Sequence, residues 1–228
     1  VIVNTCAFIR EAQEEAIDTI LDAASLKKNG RCQTLIVSGC FSQRYRKQVA
    51  EKFPEVDLWV GVNDWQEMLR NIYKQMKPSP FERVLSGLPS TQYLKIAEGC
   101  SHSCTFCVIP SIRGPFVSRE SEEIIDEARW LYQSGVKELI LVAQDTSFFG
   151  RDSGSSLTAL LEQLLTKTKF PWIRCMYLHP RYVDETLLKL ISTEPRICSY
   201  FDIPLQHISE PILRSMNRTP LTKEIYEL

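Results

Sequence analysis

Residues 93–110 read Tyr-Leu-Lys-Ile-Ala-Glu-Gly-Cys-Ser-His-Ser-Cys-Thr-Phe-Cys-Val-Ile-Pro, an apolar strand pattern that runs directly into three closely spaced cysteines. Cys100, Cys104 and Cys107 follow a CxxxCxxC spacing, so three thiolates share one loop and can bind one metal centre. A cubane iron–sulfur cluster usually takes four cysteines, and three would leave one iron without a protein ligand. Because an open coordination position is typical of reactive metal sites, the motif indicates catalytic chemistry.

The same cysteines allow a second interpretation, a non-catalytic module that binds zinc with His102 as the fourth ligand. Structural zinc sites usually use paired C-x-x-C elements, and the CxxxCxxC spacing differs from that arrangement. We therefore favour an iron–sulfur centre, with zinc as the alternative.

The composition is that of an ordinary globular protein, 44% hydrophobic and 24% charged over 228 residues, with a net charge of −1. This balance gives no electrostatic indication of nucleic-acid binding, so we do not expect this segment to require nucleic acid. The longest apolar run, 139–143, is far shorter than a membrane span. Three of the eight cysteines lie within eight residues, which favours metal-bound thiolates in a reducing cytoplasm over secreted disulfides. We expect a cytoplasmic protein with no membrane partner.

Strands and helices alternate in residues 1–80, which we interpret as one N-terminal domain. The predicted strands are 1–4, 34–38 and 58–60, and the predicted helices are 9–28, 42–53 and 64–76. Alternating β and α segments predict an open parallel sheet covered by helices, and the domain is only partly contained in the chain.

Two of these strands are followed at once by a cysteine, Cys6 after the first and Cys40 after the second. In open parallel sheets the carboxyl ends of the strands are where ligands bind. Two thiolates on adjacent loops could hold a second cluster, with a third ligand from a loop upstream of Val1. Cys32 precedes its strand and is therefore expected at the opposite edge. Two small cysteines buried at strand ends are an equally open interpretation.

A second β/α series covers residues 93–228, after a segment at 81–92 that we predict to be a linker from its Pro, Gly and Ser content. The predicted strands are 93–97, 138–143, 172–178 and 200–203, and the predicted helices are 121–134, 156–168, 184–192 and 210–216. Four β/α units, still in progress at residue 228, predict a truncated (β/α) barrel. In such barrels the chemistry lies on the loops that follow the strands.

These patterns resemble the methylthiotransferase family of radical S-adenosylmethionine (SAM) enzymes over nearly the whole chain. The segments 3–8 (Val-Asn-Thr-Cys-Ala-Phe) and 37–40 (Val-Ser-Gly-Cys) resemble two of the three cysteine motifs in that family's N-terminal domain. The resemblance implies a radical SAM partial TIM barrel after that domain and a β-barrel (TRAM) domain beyond residue 228. Both ends of the chain look cut, so we expect a fragment of a longer protein, inactive by itself.

The resemblance also implies the cofactors, two 4Fe–4S clusters and SAM. The CxxxCxxC cysteines would hold the radical SAM cluster, whose open iron binds SAM. Cleavage of SAM would give a radical that abstracts hydrogen from an unactivated carbon. Cys6, Cys40 and a cysteine upstream of the chain would hold an auxiliary cluster, which carries the sulfur to be transferred.

Four further residues are implied as cofactor contacts. Phe106, directly before the third cysteine, would pack near the adenine of SAM. Gln144 and Asp145 follow one predicted strand and would hydrogen-bond the methionine part of SAM. Gln206 follows another predicted strand and would hydrogen-bond SAM or substrate. Each of these three could instead satisfy backbone groups at the rim of the barrel.

Three segments most resemble the branch of the family that modifies a ribosomal protein, namely 93–100, 141–147 and 202–209. That branch adds a methylthio group to the β-carbon of an aspartate in small-subunit ribosomal protein number twelve, which is the substrate we expect, on the ribosome. His179 resembles the tRNA-modifying branch instead, so a tRNA adenosine methylthiotransferase is the alternative. A low-potential electron donor, flavodoxin or ferredoxin, is the other partner that we expect.

Overall fold

The computed structural model describes residues 1–62, 64, 83–219 and 222–226. The helix predicted at 64–76 lies outside the described residues. Two units make up the chain: unit 1 contains Val1–Pro78 and Val108–Arg113, and unit 2 contains Ser79–Cys107 and Gly114–Leu228. None of the described helices is long and apolar enough to cross a membrane.

Unit 1 is built on three parallel strands in the order β1-β2-β3. Its elements are β1 (Ile2–Thr5), α1 (Arg10–Lys28), β2 (Ile36–Gly39), α2 (Cys40–Val49), a 3₁₀ turn (Ala50–Lys52), β3 (Leu58–Val60) and α3 (Ile109–Arg113). Helix α1 forms because Ala16, Ile20, Ala23 and Ala24 recur at helical spacing and are buried on one face. All three predicted strands are present, which confirms the parallel α/β arrangement of this part.

Strands β1 and β2 end side by side, with Thr5 opposite Gly39 in the register. Gly39 has φ +94°, and a Cβ there would lie under 3.0 Å from backbone atoms of Thr5. Only glycine fits a positive φ together with so close an approach. The end of β2, and with it the start of α2 at Cys40, therefore depends on this glycine.

Unit 2 contains a second parallel sheet, in the order β4-β7-β8, and a short antiparallel pair of β5 and β6. The strands are β4 (Thr91–Lys95), β5 (Ala97–Glu98), β6 (Val117–Ser118), β7 (Glu138–Val142) and β8 (Trp172–Cys175). The helices are α4 (Ser121–Gln133), α5 (Leu157–Lys167), α6 (Glu185–Thr193), α7 (Glu210–Ser215) and α8 (Thr222–Tyr226), with 3₁₀ turns at Thr146–Phe148 and Pro180–Tyr182.

The helices of unit 2 begin where the sequence supplies capping side chains. Ser156 Oγ accepts from the backbone N–H of Ala159 at 3.1 Å, and Asp184 Oδ1 accepts from that of Leu187 at 2.9 Å. Such caps satisfy N–H groups that have no partner inside the helix. The leucines of α5 then lie buried in the core with strand residues such as Leu139.

The predicted strand at 200–203 is wrong. The chain returns to β8 earlier, where Ile173 N–H donates to the Arg196 carbonyl at 2.8 Å and Cys198 N–H donates to the Ile173 carbonyl at 2.9 Å. Tyr200 N–H then bonds back to the Cys198 carbonyl at 2.7 Å, and this local turn interrupts the ladder. The other three strands of the series are present, so the α/β class with parallel sheets is confirmed.

Candidate functional site

The cysteine loop of unit 2 is fixed at its base by close backbone packing. Cys100 N–H donates to the Gly114 carbonyl at 3.1 Å. Gly99 has φ +81°, and a Cβ there would lie under 3.0 Å from backbone atoms of Gly114 and Pro115. The residue before the first cysteine must therefore be glycine for the loop to leave β5 in this direction.

The three cysteines of this loop differ in exposure. Cys100 is buried, whereas Cys104 and Cys107 are half-buried, and Cys107 N–H donates to the Cys104 carbonyl at 3.1 Å. Burial raises the pKa of Cys100, and the Asp145 carboxylate and the other two cysteines raise it further. Three thiolates here need a positive metal centre, and binding one releases their protons.

Geometry argues against a mononuclear zinc site on these cysteines. Two sulfurs bound to one zinc at about 2.3 Å each are at most roughly 4.6 Å apart. Among the described residues, the only three potential ligands with donor atoms all within 4.8 Å of one another are His102, Asp145 and His179. The sulfurs of Cys100, Cys104 and Cys107 do not all lie within this distance of one another. The Nε2 of His102 is 2.7 Å from Asp145 Oδ2, which leaves only its Nδ1 to bind a metal.

Asp145 connects the loop after β7 to the cysteine loop. Its Oδ1 accepts from Ser147 Oγ at 2.6 Å and from Phe148 N–H at 3.1 Å, while Oδ2 bonds His102. Both carboxylate oxygens are thus bonded within the protein, and only 2% of the residue is exposed. This favours the alternative in which Asp145 satisfies groups at the rim, and its role as a SAM contact stays a prediction.

His179, from the loop after β8, completes this convergence of three loops. Its ring stacks on His102 with centroids 4.3 Å apart, and its Nδ1 accepts from Arg181 N–H at 3.2 Å. Burial and the positive charge of Arg218 lower the pKa of His179 to about 3. His179 is therefore a neutral imidazole at physiological pH. The sequence placed these loops at one edge of the sheet, but it did not indicate that their side chains bond to each other.

Two buried oxygens beside these loops lack a hydrogen-bond partner, Gln144 Oε1 and Thr146 Oγ1. Buried polar groups are normally satisfied, so such atoms mark a place where a ligand with donor groups fits. The role of Gln144 as a SAM contact stays a prediction. Phe106 is 50% exposed, and its packing near the adenine of SAM stays a prediction.

Gln206 does not end a strand, contrary to the prediction that the segment before it forms one. It is exposed and has φ +72°, a left-handed conformation in irregular chain. Its role as a cofactor contact stays a prediction that rests on the resemblance alone.

In unit 1 the sheet register brings two cysteines to the same edge. Cys6 follows β1 and is exposed, and Cys40 follows β2 and is half-buried. Arg113 Nη2 donates to Cys40 Sγ at 3.7 Å, and Arg44 Nη1 donates to the Ala7 carbonyl at 3.0 Å. The two strand-end loops therefore lie as predicted, and their role as cluster ligands stays a prediction.

The remaining cysteines lie away from these two sites. Cys32 Sγ bonds the Thr34 carbonyl at 3.3 Å, before β2, at the edge opposite Cys40. Burial raises the pKa of Cys175 to about 12, which makes its thiol inert at neutral pH. Cys198 is half-buried. Burial raises the pKa of the Cys198 thiol, and the positive charge of Arg174 offsets part of that rise.

Arg218 is a residue of the site that sequence reasoning missed. It is 7% exposed, its Nη1 donates to Cys104 Sγ at 3.7 Å, and its Nη2 donates to the Pro204 carbonyl at 2.7 Å. It lies 114 residues after Cys104. Nothing in the local sequence around Arg218 indicates that its side chain reaches a cysteine so far away in the chain.

Two family profiles match the chain. "Radical SAM superfamily" matches residues 94–228, and "Uncharacterized protein family UPF0004" matches residues 1–61. The chain is 44% identical to a protein of Geobacter sulfurreducens and 43% identical to one of Clostridioides difficile, each named "Ribosomal protein uS12 methylthiotransferase RimO". The alignments cover 100% and 99% of this chain but 55% and 54% of those proteins. The chain thus spans about half the length of these curated relatives.

Solved structures share the fold at low sequence identity. One is TsrM from Kitasatospora setae, a radical SAM methyltransferase with cobalamin and a [4Fe-4S] cluster bound, at a TM-score of 0.65 and 14% identity over 97% of this chain and 53% of that one. Another is OxsB, a cobalamin-dependent radical SAM enzyme with aqua-cobalamin bound, at a TM-score of 0.60 and 10% identity over 98% of this chain and 38% of that one.

Proposed function

Because the chain belongs to the radical SAM superfamily, which uses SAM and a 4Fe–4S cluster, we propose that Cys100, Cys104 and Cys107 hold that cluster. The three sulfurs lie on one loop, close enough for the two half-buried cysteines to raise the pKa of the third. The short mutual spacing that zinc needs is absent among them. A 4Fe–4S cluster bound by three cysteines leaves one iron open, which suits a site that binds SAM.

The protein's own groups prepare this site for SAM. The bound cofactors supply the difficult step, the abstraction of hydrogen from an unactivated carbon. Gln144 Oε1 and Thr146 Oγ1 are buried acceptors without partners, and they would take hydrogen bonds from the bound ligand. His102 and Asp145 hold the cysteine loop against the loop after β7 through their 2.7 Å bond. Neutral His179 lies against them without adding a charge.

Unit 1 would supply a second, auxiliary 4Fe–4S cluster, bound by Cys6, Cys40 and a third cysteine upstream of the chain. Support comes from the β1–β2 register, which sets both cysteines at the carboxyl edge of the sheet, where open α/β sheets bind ligands. The Arg113 guanidinium, 3.7 Å from Cys40 Sγ, would offset the negative charge of a cluster bound here. This cluster would carry the sulfur that is transferred.

For the full-length protein, we infer the activity of a ribosomal protein methylthiotransferase. The single observation that carries this inference is 42–44% identity, over nearly all of the chain, to proteins named for that activity on uS12. The acceptor would be the β-carbon of an aspartate in uS12 on the ribosome. A low-potential flavodoxin or ferredoxin would supply the electrons, and the reaction would take place in the cytoplasm.

The test uses the full-length protein, reconstituted anaerobically with iron and sulfide and supplied with SAM and reductant. Small ribosomal subunits and bulk tRNA are offered separately, both from a strain that lacks the modification. We expect mass spectrometry to find a methylthio group on one aspartate of uS12 and none on tRNA adenosines. Modification of tRNA alone would replace this proposal with the tRNA methylthiotransferase alternative. Zinc in place of iron, with neither product, would restore the structural zinc module.

A further inference from the structure

The C-terminal end of α7 is hydrogen-bonded to the middle of the cysteine loop. We call residues Ser215–Arg218 the α7 clamp. Thr105 N–H donates to the Met216 carbonyl at 3.0 Å, and Thr105 Oγ1 donates to the Ser215 carbonyl at 3.1 Å. These bonds use carbonyls at the end of a helix, which have no partner within the helix itself. The cysteine loop thus serves as the cap of α7.

Asn217 adds a side-chain contact to the clamp. Its Nδ2 donates to Ser103 Oγ at 2.7 Å and to the Ser103 carbonyl at 3.1 Å. Asn217 has φ +51°, a left-handed conformation that asparagine tolerates better than most residues and that commonly ends helices. This turn directs the chain so that the next residue, Arg218, lies beside Cys104. The residues on both sides of Cys104 are therefore held by the same four-residue segment.

Arg218 is a buried cation without an anionic partner. Its backbone N–H is bonded to the Leu213 carbonyl at 2.8 Å, and its Nη2 to the Pro204 carbonyl at 2.7 Å. Its Nε is buried with no hydrogen-bond partner, and no carboxylate in the described parts of the chain forms an ion pair with it. A buried charge is costly unless it is paired, so this arrangement requires an anion at the site. Its Nη1 donates to Cys104 Sγ at 3.7 Å.

We propose that Arg218 is a positioning residue that holds Cys104 and raises the reduction potential of the radical SAM cluster. Three thiolates outweigh the charge of the oxidised 4Fe–4S core, so the centre is anionic, and one-electron reduction makes it more so. A fixed guanidinium beside one sulfur stabilises the reduced form more than the oxidised form. Charge and hydrogen bonds to sulfur are among the factors that set cluster potentials. Arg218 stays protonated throughout, and no bond of its own is made or broken.

This inference rests on the proposed assignment of Cys104 as a cluster ligand. It goes beyond that assignment because it concerns the potential at which the cluster accepts an electron. Without the guanidinium the cluster would still form on its three cysteines. It would, however, need a stronger reductant before SAM could be cleaved.

The experiment is a redox titration of the full-length protein, monitored by electron paramagnetic resonance without SAM. Cys6→Ala and Cys40→Ala are present in every sample, so that only the radical SAM cluster contributes to the signal. Arg218→Gln keeps a polar side chain but removes the charge. We expect it to lower the equilibrium constant for one-electron reduction at least tenfold, which is about 59 mV toward more negative potential. Arg214→Gln, in α7 just before the clamp and in an exposed pair with Glu210, is the matched control and should titrate like the parent.

Three results decide between the possibilities. If Arg218→Gln keeps the cluster and its reduction potential is unchanged, the inference is overturned. This holds even if the variant binds SAM more weakly. If Arg218→Gln fails to keep a cluster, Arg218→Met replaces it. Methionine fills similar space without a charge, so we expect a shift of similar size in the same direction, and a potential equal to the parent's overturns the inference. If the parent itself shows no reducible cluster, the assignment of the cysteines fails instead.

Discussion

The two cysteine sites of this protein are built in different ways. In unit 2 all three cysteines come from one loop of eight residues, whereas in unit 1 Cys6 and Cys40 come from two strand ends brought together by the sheet register. The first site is local in sequence and the second depends on long-range pairing of β1 with β2. A local site is visible as a spacing, and a site assembled by topology is visible only once the sheet is known.

Both sites also share a feature that the sequence did not suggest. In each of them an arginine donates to one cysteine sulfur at 3.7 Å, Arg218 to Cys104 and Arg113 to Cys40. Arg218 is buried, and Arg113 is half-buried. Cationic donors beside thiolates lower the cost of gathering negative charge in each site. Substitutions in the glycines that shape each site and in the histidine beside the first can test how separate the sites are.

The largest effect is expected from alanine at the two glycines that lie under the sites. Gly99→Ala and Gly39→Ala each force a Cβ under 3.0 Å from backbone at a positive φ. We expect each to lower the free energy of unfolding by about 3 kcal/mol or more, since strain and overpacking add. Gly99→Ala should also prevent binding of the radical SAM cluster, whereas Gly39→Ala should prevent binding of the auxiliary cluster alone. Urea unfolding and iron analysis of the reconstituted full-length protein measure both effects.

Two other glycines provide matched controls for these substitutions. Gly114 and Gly30 also have positive φ, at +78° and +93°, but a Cβ at either position meets nothing within 4 Å. Alanine there should cost only the conformational strain, roughly 1–2 kcal/mol, and should leave both clusters in place. Equal costs in all four variants would show that close packing at Gly99 and Gly39 is not what shapes the loops. Loss of both clusters in Gly99→Ala, or in Gly39→Ala, would show that the two sites are not independent.

A smaller effect is expected from the buried imidazole beside the cysteine loop. The folded protein lowers the pKa of His179 from 6.5 to about 3, with Arg218 and His102 acting with burial and Asp145 acting against it. The folded state therefore favours neutral imidazole. The contribution of neutral His179 to the free energy of unfolding is complete above pH 6.5 and is lost as the pH falls toward 3. Between pH 7.5 and 5.5 we expect a loss of about 1 kcal/mol in the free energy of unfolding.

His179→Gln isolates this contribution because it removes the titrating group and keeps a polar side chain. Urea unfolding of both proteins at the two pH values gives the comparison. The variant should be less sensitive to pH over this interval by about the same 1 kcal/mol. Identical pH dependence in the two proteins would mean that His179 is not buried in its neutral form.

Local patterns predicted most of the elements. Strands β1, β3 and β7 and helices α1, α4, α5 and α6 match their predicted positions to within about two residues, because apolar periodicity and capping residues such as Ser156 and Asp184 are local signals. The predicted strand at 200–203 failed for a tertiary reason, since its partner β8 is already paired with residues 196–198. Apolar composition alone cannot indicate which part of a segment reaches the sheet.

The site could be predicted only to the level of its loops. The cysteine spacing predicted the ligands of the first site, which stay a prediction, and the strand ends placed Gln144 and Asp145 on a loop at the edge where chemistry is expected. The bond of Asp145 to His102 could not be predicted, because it joins side chains 43 residues apart. The contact of Arg218 with Cys104 spans 114 residues and depends on the left-handed turn at Asn217. Such contacts follow from tertiary packing and leave no local pattern.

The central claim, that the two cysteine sites hold two clusters with separate tasks, is tested most directly by measuring two products in the same full-length protein. These are 5′-deoxyadenosine and methylthiolated uS12, assayed for Cys104→Ala, Cys40→Ala and the control Cys32→Ala. We predict that Cys104→Ala loses both products, that Cys40→Ala keeps 5′-deoxyadenosine but loses methylthiolation, and that Cys32→Ala keeps both. Undiminished methylthiolation in Cys40→Ala, or SAM cleavage that persists in Cys104→Ala, would contradict the account.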